Sequence, residues 1–124
     1  MQGMILVLAL ASISMSAVAQ VLFKFGMSAD AVRGALAEGA VLGVARAVAL
    51  NPGILGGLAL YGFGTVLWLG VLSRAELSQA YPFVGLSFVL TALFGALLFN
   101  DSLSAGRLAG IALIVAGVWL VGRS

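Results

Sequence analysis

Four long runs of apolar residues, separated by short polar segments, leave few options for how this chain folds. They cover residues 3–25, 54–72, 78–99 and 104–121. At about 1.5 Å per residue, each run is long enough as a helix to cross roughly 30 Å of hydrocarbon. Only 8% of the residues are charged, against about 25% in ordinary soluble domains. The sequence therefore predicts an all-α polytopic membrane protein, with four transmembrane helices in a single domain over residues 1–124.

The connector between the first two runs, residues 27–53, has a different composition. It is rich in alanine, valine and leucine but contains charged residues, namely Asp30, Arg33, Glu38 and Arg46. It has no uncharged run long enough to span a membrane, and Asn51-Pro52-Gly53 ends it. We expect it to be partly helical, lying at the membrane interface or extending the neighbouring spans. A mobile loop with helical tendency is the alternative.

The polar residues of the first run form a stripe. Ser12, Ser16, Gln20 and Lys24 follow one another at intervals of four residues. Because each such step drifts by about 40° around a helix, the four side chains fall within an arc of roughly 120°. A polar stripe that ends in a cation is unfavourable in lipid. We therefore expect it to face other helices or a wet cavity.

The second and third runs add aromatic residues and helix-end signals. Tyr61, Thr65 and Trp68 share one face of the second helix. Pro82 is expected within the first turns of the third helix, where its missing N–H costs little. The turns at residues 73–76 and 100–102 are short. They predict that helices two and three, and helices three and four, are antiparallel neighbours.

The fourth run carries glycines at helical spacing. Gly106 and Gly110 are four residues apart, and Gly117 follows seven residues later. Small residues at such intervals let two helix backbones approach closely in lipid. They predict a dimer interface on this helix. The alternative is that they only pack the helix on its own bundle.

The residue types present exclude several classes of chemistry. The chain has no cysteine and no histidine, and no aspartate or glutamate lies within a predicted span. No nucleophile–base pair or metal cluster can be assembled from these runs, so we expect neither an enzyme nor a bound metal or cofactor. The net charge of +2 comes from a few residues in loops and helix ends, and it indicates no nucleic-acid partner.

Two short motifs carry a resemblance to a known superfamily. Ala80-Tyr81-Pro82 opens the third span and Ala116-Gly117-Val118 lies in the fourth. With four spans in so short a chain, this pattern resembles the small EamA-like members of the drug/metabolite transporter superfamily. These include the small multidrug resistance exporters. They also include the half-length subunits proposed to flip undecaprenyl-phosphate-linked aminoarabinose across the bacterial inner membrane.

Further motifs separate these two branches. The multidrug exporters carry a membrane-embedded glutamate two turns before a Lys-Phe pair; here that pair is Lys24-Phe25, and Ser16 occupies the glutamate position. The pattern Ser16-x-x-x-Gln20-x-x-x-Lys24 resembles that of the flippase subunits. Their pattern is also similar to Val66-Leu67-Trp68-Leu69 and to Phe88-Val89. The connector over residues 27–53 resembles neither branch.

The resemblance implies a flippase for a polyprenyl-phosphate-linked sugar or a similar amphipathic lipid, acting as a homodimer or with a related four-helix subunit. Lys24 would pair with a phosphate, while Ser16 and Gln20 would hydrogen-bond the sugar. Tyr61, Trp68 and Tyr81 would stack on the sugar or line the groove. The alternatives are that Lys24 only extends to head groups, that Ser16 bonds its own backbone, and that the aromatic residues anchor the interface or fill the core.

Two other functions remain open at this point. One is export of a small drug, polyamine or guanidinium compound by the same superfamily. A proton-coupled exporter of cations needs an acid within the membrane, so that protons and substrate compete for it, and the spans contain none. The other is a membrane subunit that does not transport. In each case we expect a multi-pass protein of the bacterial inner membrane.

Overall fold

The computed structural model describes residues 3–124, and in this range it contains α-helices and one 3-10 turn but no strand. The predicted domain begins at Met1, which together with Gln2 lies outside the described residues. The elements are α1 (Gly3–Met27), α2 (Asp30–Glu38), α3 (Val41–Ala49), α4 (Pro52–Leu72), α5 (Leu77–Ala80), the 3-10 turn (Tyr81–Val84), α6 (Gly85–Leu98) and α7 (Ala105–Arg123).

Four helical segments are long and apolar enough to cross a membrane. They are α1, α4, the stretch Leu77–Leu98 and α7, so the predicted all-α membrane fold is confirmed. The connector is helical over most of its length, since it contains α2 and α3. These two helices pack against each other as a hairpin. Gly39 joins them with a φ of 76°, a left-handed conformation that glycine adopts at no steric cost. The mobile-loop alternative for the connector is therefore wrong.

The third span is interrupted where the sequence predicts a continuous helix. A 3-10 turn over Tyr81–Val84 separates α5 from α6. Pro82 explains the interruption, because it has no N–H to donate to the carbonyl four residues earlier and its ring crowds that carbonyl. Pro82 lies within the first turns of this span, as predicted, since α5 begins at Leu77, but the helix at that point is 3-10 rather than α.

Helix α1 is the central element of the bundle. It packs most extensively on α4 and next on α6, whereas α7 packs mainly on the third span. The prediction that spans three and four are neighbours is confirmed. The second and third spans pack together only near the turn that joins them, at α5, so that prediction is wrong for most of their length. A short turn keeps the two joined helix ends close together, but it does not determine how closely the rest of the two helices pack.

Close contact between α1 and α4 depends on glycines of α4. A Cβ atom on Gly57 would lie 2.7 Å from the Phe23 ring and 3.1 Å from the Ala19 carbonyl oxygen. A Cβ on Gly53 would lie 3.1 Å from the Leu22 carbonyl oxygen. Lipid tails are as apolar as the helices, so close van der Waals packing is what holds two spans together. Because Gly53 and Gly57 have no side chain, α4 can approach α1 closely enough for that packing.

A second contact region joins α1, the third span and α7. The buried side chains Ile13, Phe83 and Val118 form one apolar cluster. Phe83 lies in the 3-10 turn, and its ring occupies the space beside Gly122 of α7, where a Cβ would be 2.8 Å away. The interruption at Pro82 thus positions Phe83 between two helices.

We expect the Gly57→Ala substitution to reduce the stability of the bundle. The added methyl group collides with the Phe23 ring, and overpacking of this kind typically costs about 1–3 kcal/mol. Gly62→Ala is the matched control on the same helix, because nothing lies within 4 Å of its Cβ position and alanine is the better helix former. Thermal unfolding of both variants in detergent measures the difference. Equal melting temperatures would contradict the close α1–α4 contact.

Candidate functional site

A cavity of about 260 Å³ lies between α1, α4 and the third span. The gap exists because α4 and the third span pack on different sides of α1. Helix α1 provides the floor and the other two spans provide the walls. The lining residues are Ser12, Ile13 and Ser16 of α1, Tyr61, Gly64, Thr65 and Trp68 of α4, and Tyr81, Val84 and Ser87 of the third span.

A buried hydrogen bond fixes the floor of the cavity to one wall. The Ser12 hydroxyl donates to the Gly64 carbonyl oxygen at 2.7 Å, and Ser12 is buried. A Cβ on Gly64 would lie 3.4 Å from the Ser12 carbonyl oxygen and 3.3 Å from the Met15 Cβ. The glycine thus lets the two backbones approach closely enough for the serine to reach across.

Two further hydroxyl groups of the lining bond to their own helices. Thr65 donates to the Tyr61 carbonyl oxygen at 2.9 Å, and Ser87 donates to the Val84 carbonyl oxygen at 2.6 Å. Their protons are used in these bonds, but each oxygen can still accept a hydrogen bond from a ligand. The cavity wall therefore offers acceptors in fixed positions.

Aromatic side chains surround the opening of the cavity. Trp68 is half-buried, whereas Tyr61 and Tyr81 are exposed. Both tyrosines line the cavity from opposite walls, so it opens at the protein surface between α4 and the third span. Each aromatic face can receive the apolar face of a sugar ring or a cationic group.

No charged side chain lines this cavity. It combines hydroxyl groups with aromatic rings and has no carboxylate that would exchange a proton. Such a lining suits a neutral polar ligand, or an organic cation bound by aromatic faces. It has none of the carboxylate, imidazole or thiolate side chains that typical zinc and calcium sites use.

The structure brings together four of the predicted site residues. Ser16, Tyr61, Trp68 and Tyr81 all line the cavity, and their role in binding substrate stays a prediction. The stripe of α1 meets the cavity through Ser12 and Ser16 only.

Gln20 and Lys24 do not line the cavity, and both are exposed. They lie about 6 Å and 12 Å beyond Ser16 along the axis of α1. For these two residues the expectation of an enclosed polar stripe is wrong, because α4 packs on α1 at Leu22 and Phe23 and leaves the face with Gln20 and Lys24 exposed.

Ser87 also lines the cavity, although the sequence pattern did not predict it. In a 3-10 segment the side chains at positions i and i+3 are aligned. Tyr81, Val84 and Ser87 follow one another at this interval, and all three line the cavity. The signal in the sequence is Pro82. An interruption at that proline changes which residues of the third span face inward.

The glycines predicted to form a dimer interface lie on the outer surface of α7. Nothing lies within 4 Å of a Cβ built on Gly110 or Gly117, and Gly106 has only the Ser104 hydroxyl nearby, at 3.9 Å. The alternative that Gly110 and Gly117 pack α7 closely on its own bundle is therefore wrong. That a second subunit packs there stays a prediction.

Comparison with known proteins finds similarity to flippase subunits of several bacteria. The chain is 45% identical over 67 residues to a probable 4-amino-4-deoxy-L-arabinose-phosphoundecaprenol flippase subunit ArnE of Pseudomonas aeruginosa LESB58, covering 54% of this chain and 58% of the relative. An ArnE subunit of Pseudomonas savastanoi pv. phaseolicola is 40% identical over 81 residues, covering 58% of this chain and 71% of the relative.

An ArnF subunit of Photorhabdus laumondii is 39% identical over 72 residues, covering 56% of this chain and 57% of the relative. The chain thus spans little more than half the length of most of these relatives. No protein-family model matches it, and no solved structure matches it.

Proposed function

Because this chain belongs to the family of small four-helix flippase subunits named ArnE and ArnF, we propose that it moves a polyprenyl-phosphate-linked sugar, or a similar amphipathic lipid, across the bacterial inner membrane. We propose that it does so as a dimer, either with a second copy or with a related subunit. The relatives' names state the lipid-linked sugar for those proteins, and the cavity supports the same substrate class here.

The uncharged cavity between α1, α4 and the third span carries this proposal. Its hydroxyl groups and aromatic faces match the two surfaces of a sugar ring, which has polar edges and an apolar face. An amino group on the sugar would be cationic, and it would be attracted to the faces of Trp68 and the tyrosines. The cavity has no acid of the kind that a proton-coupled exporter of cations requires.

The position of the opening suits a ligand with a long apolar tail. It lies between α4 and the third span, both of which are membrane-spanning helices. A sugar can enter the cavity from this side while the polyprenyl chain stays in the hydrocarbon. The bilayer then replaces any need for a tail-binding site within the subunit.

Lys24 is the proposed partner of the phosphate. It is the only lysine of the chain, and it lies about 12 Å from Ser16 along α1. That distance is comparable to the length of a sugar joined to a phosphate. Gln20, between them, is placed to hydrogen-bond the part of the ligand that leaves the cavity.

The exposed surface of α7 supports the proposed dimer. Val118 is the only buried residue of this helix, so nearly all of its surface is free for lipid or for a second subunit. Gly110 and Gly117 provide a place where another backbone can approach closely. Gly117 lines a groove with Tyr81 and Val84 of the third span, so a second subunit there would lie beside the mouth of the cavity.

We expect Trp68→Ala to weaken binding of a polyprenyl-phosphate-linked amino sugar but not of polyprenyl phosphate alone. Losing one aromatic face for a cationic group costs about 0.5–2 kcal/mol, or roughly two- to thirtyfold in affinity. Binding titrations with the purified protein in nanodiscs measure both lipids. Trp119→Ala is the matched control, because Trp119 lies on α7 outside the cavity lining. Equal losses for both lipids would contradict a sugar in the cavity.

We expect Lys24→Ala to weaken binding of both lipids by about ten- to a hundredfold, since a charge-assisted hydrogen bond is worth roughly 1.5–3 kcal/mol. Lys24→Arg should retain most of the affinity, because it keeps the charge. The same titrations give the result, with folding verified by thermal unfolding. If folded Lys24→Ala binds both lipids as the original chain does, the lysine contacts head groups only and the phosphate site is wrong.

We expect Gly110→Leu and Gly117→Leu to weaken the dimer. Each inserts a side chain where backbones approach, at a cost of about 1–3 kcal/mol, which is roughly five- to 150-fold in the dissociation constant. Ala112→Leu is the control, because Ala112 lies on nearly the opposite side of α7 from Gly110. Mass photometry in nanodiscs and crosslinking give the subunit number. Dimers unaffected by both leucines, or monomers in the original chain, would overturn the interface.

A further inference from the structure

The hairpin formed by α2 and α3 has an exposed apolar surface that the flippase proposal does not use. Its side chains are Leu36 on α2, Val41 and Leu42 on α3, and Leu50 at the end of α3. Val41 and Leu42 are 83% and 86% exposed. The hairpin has interior contacts of its own, since Val32 is fully buried and Val44, Ala47 and Val48 are partly buried. The exposed set is therefore not needed to hold α2 and α3 together.

Both ends of the hairpin are attached to the same end of the α1–α4 pair. The Asn51 side chain donates to the Gly26 carbonyl oxygen at 3.2 Å and accepts from the Ile54 N–H at 3.1 Å. This side chain joins the end of α1 to the start of α4. Two residues, Ser28 and Ala29, separate α1 from α2, and two residues span at most about 7 Å. The hairpin therefore starts at the boundary of the membrane-spanning region.

The residues next to the hairpin already face lipid. Phe25 and Met27 at the end of α1, and Leu55 at the start of α4, are exposed apolar side chains of membrane-spanning helices. The apolar surface of the hairpin continues this lipid-facing surface beyond the ends of the two spans. A single partner that contacts the ends of these spans and also the hairpin must be apolar beside the spans. It must be polar where the charged residues of the hairpin begin.

The order of residues on α3 matches that requirement. Leu42 and Arg46 are four residues apart and share one face of the helix, and both are exposed. On a helix lying in the interface, a leucine enters the acyl region while an arginine on the same face extends to lipid phosphates. On α2, by contrast, Asp30, Arg33 and Ala37 lie together on a face opposite Val32.

We propose that the α2–α3 hairpin is an interfacial anchor that lies on the phospholipid surface of the membrane, with Val41 and Leu42 inserted below the phosphates and Arg46 bound to them. Its charged residues are Asp30, Arg33, Glu38 and Arg46, which sum to zero formal charge. Apolar insertion rather than charge attraction therefore holds it, and anionic lipid is not required. This proposal is independent of which ligand the cavity binds.

The chain has no cysteine, so single spin labels can be attached to it without removing native thiols. Leu42→Cys and Val41→Cys place labels on the proposed inserted face. Ala37→Cys is the matched control on the charged face of α2. All three positions are exposed, so the substitutions remove no packing contact. Thermal unfolding verifies that each labelled protein is folded.

Collision of each label with oxygen and with a water-soluble nickel chelate is measured in proteoliposomes of phosphatidylcholine, with and without added phosphatidylglycerol. We expect the labels at positions 41 and 42 to collide severalfold more with oxygen than with the chelate in both lipid mixtures, and the label at position 37 to show the reverse. Equal chelate access at positions 37 and 42 would overturn the anchor. Shielding of position 42 from both reagents would also overturn it, because that result indicates a protein partner or a second copy. A preference for oxygen that appears only with phosphatidylglycerol would overturn it too, because that result indicates charge attraction.

Discussion

Close backbone contact between α1 and α4 is the interaction on which the rest of the molecule depends. In lipid, apolar side chains gain little by leaving their surroundings for one another, so helices associate through packing and hydrogen bonds. Gly57 and Gly64 allow that packing, because a Cβ on Gly57 would collide with α1 and a Cβ on Gly64 would be tightly crowded by it. The bond from Ser12 to the Gly64 carbonyl oxygen then satisfies a polar group that would otherwise be costly in an apolar interior.

The cavity is a consequence of this contact. Helix α4 is held against one side of α1, and Phe83 holds the third span against another side of α1 and against α7. The two walls cannot close on each other while both contacts are kept. The space between them receives hydroxyl groups from all three spans and aromatic rings from two of them. Its uncharged lining distinguishes it from a site that binds protons and cations in competition.

Hydropathy along the chain was enough to predict four spans, their approximate ends and the membrane class, because a segment of about twenty apolar residues has few other stable environments. The four-residue spacing of Ser12 and Ser16, and the shared face of Tyr61 and Trp68, identified four of the ten residues that line the cavity. The same spacing predicted enclosure for Gln20, and that prediction was wrong. Helical periodicity gives the direction of a side chain but not whether another helix lies there.

The glycines show most clearly which features follow from the sequence and which depend on the tertiary structure. Their spacing on α4 and on α7 is typical of close helix contacts in both cases. On α4, Gly53, Gly57 and Gly64 are covered by α1, whereas Gly110 and Gly117 of α7 have no neighbour within the chain at the Cβ position. The partner of a small-residue face depends on which helices the turns and the interruption at Pro82 bring together. Periodicity is a property of one helix, whereas a cavity or an interface is a relation between several. The order of helices around α1 therefore had to come from the tertiary structure.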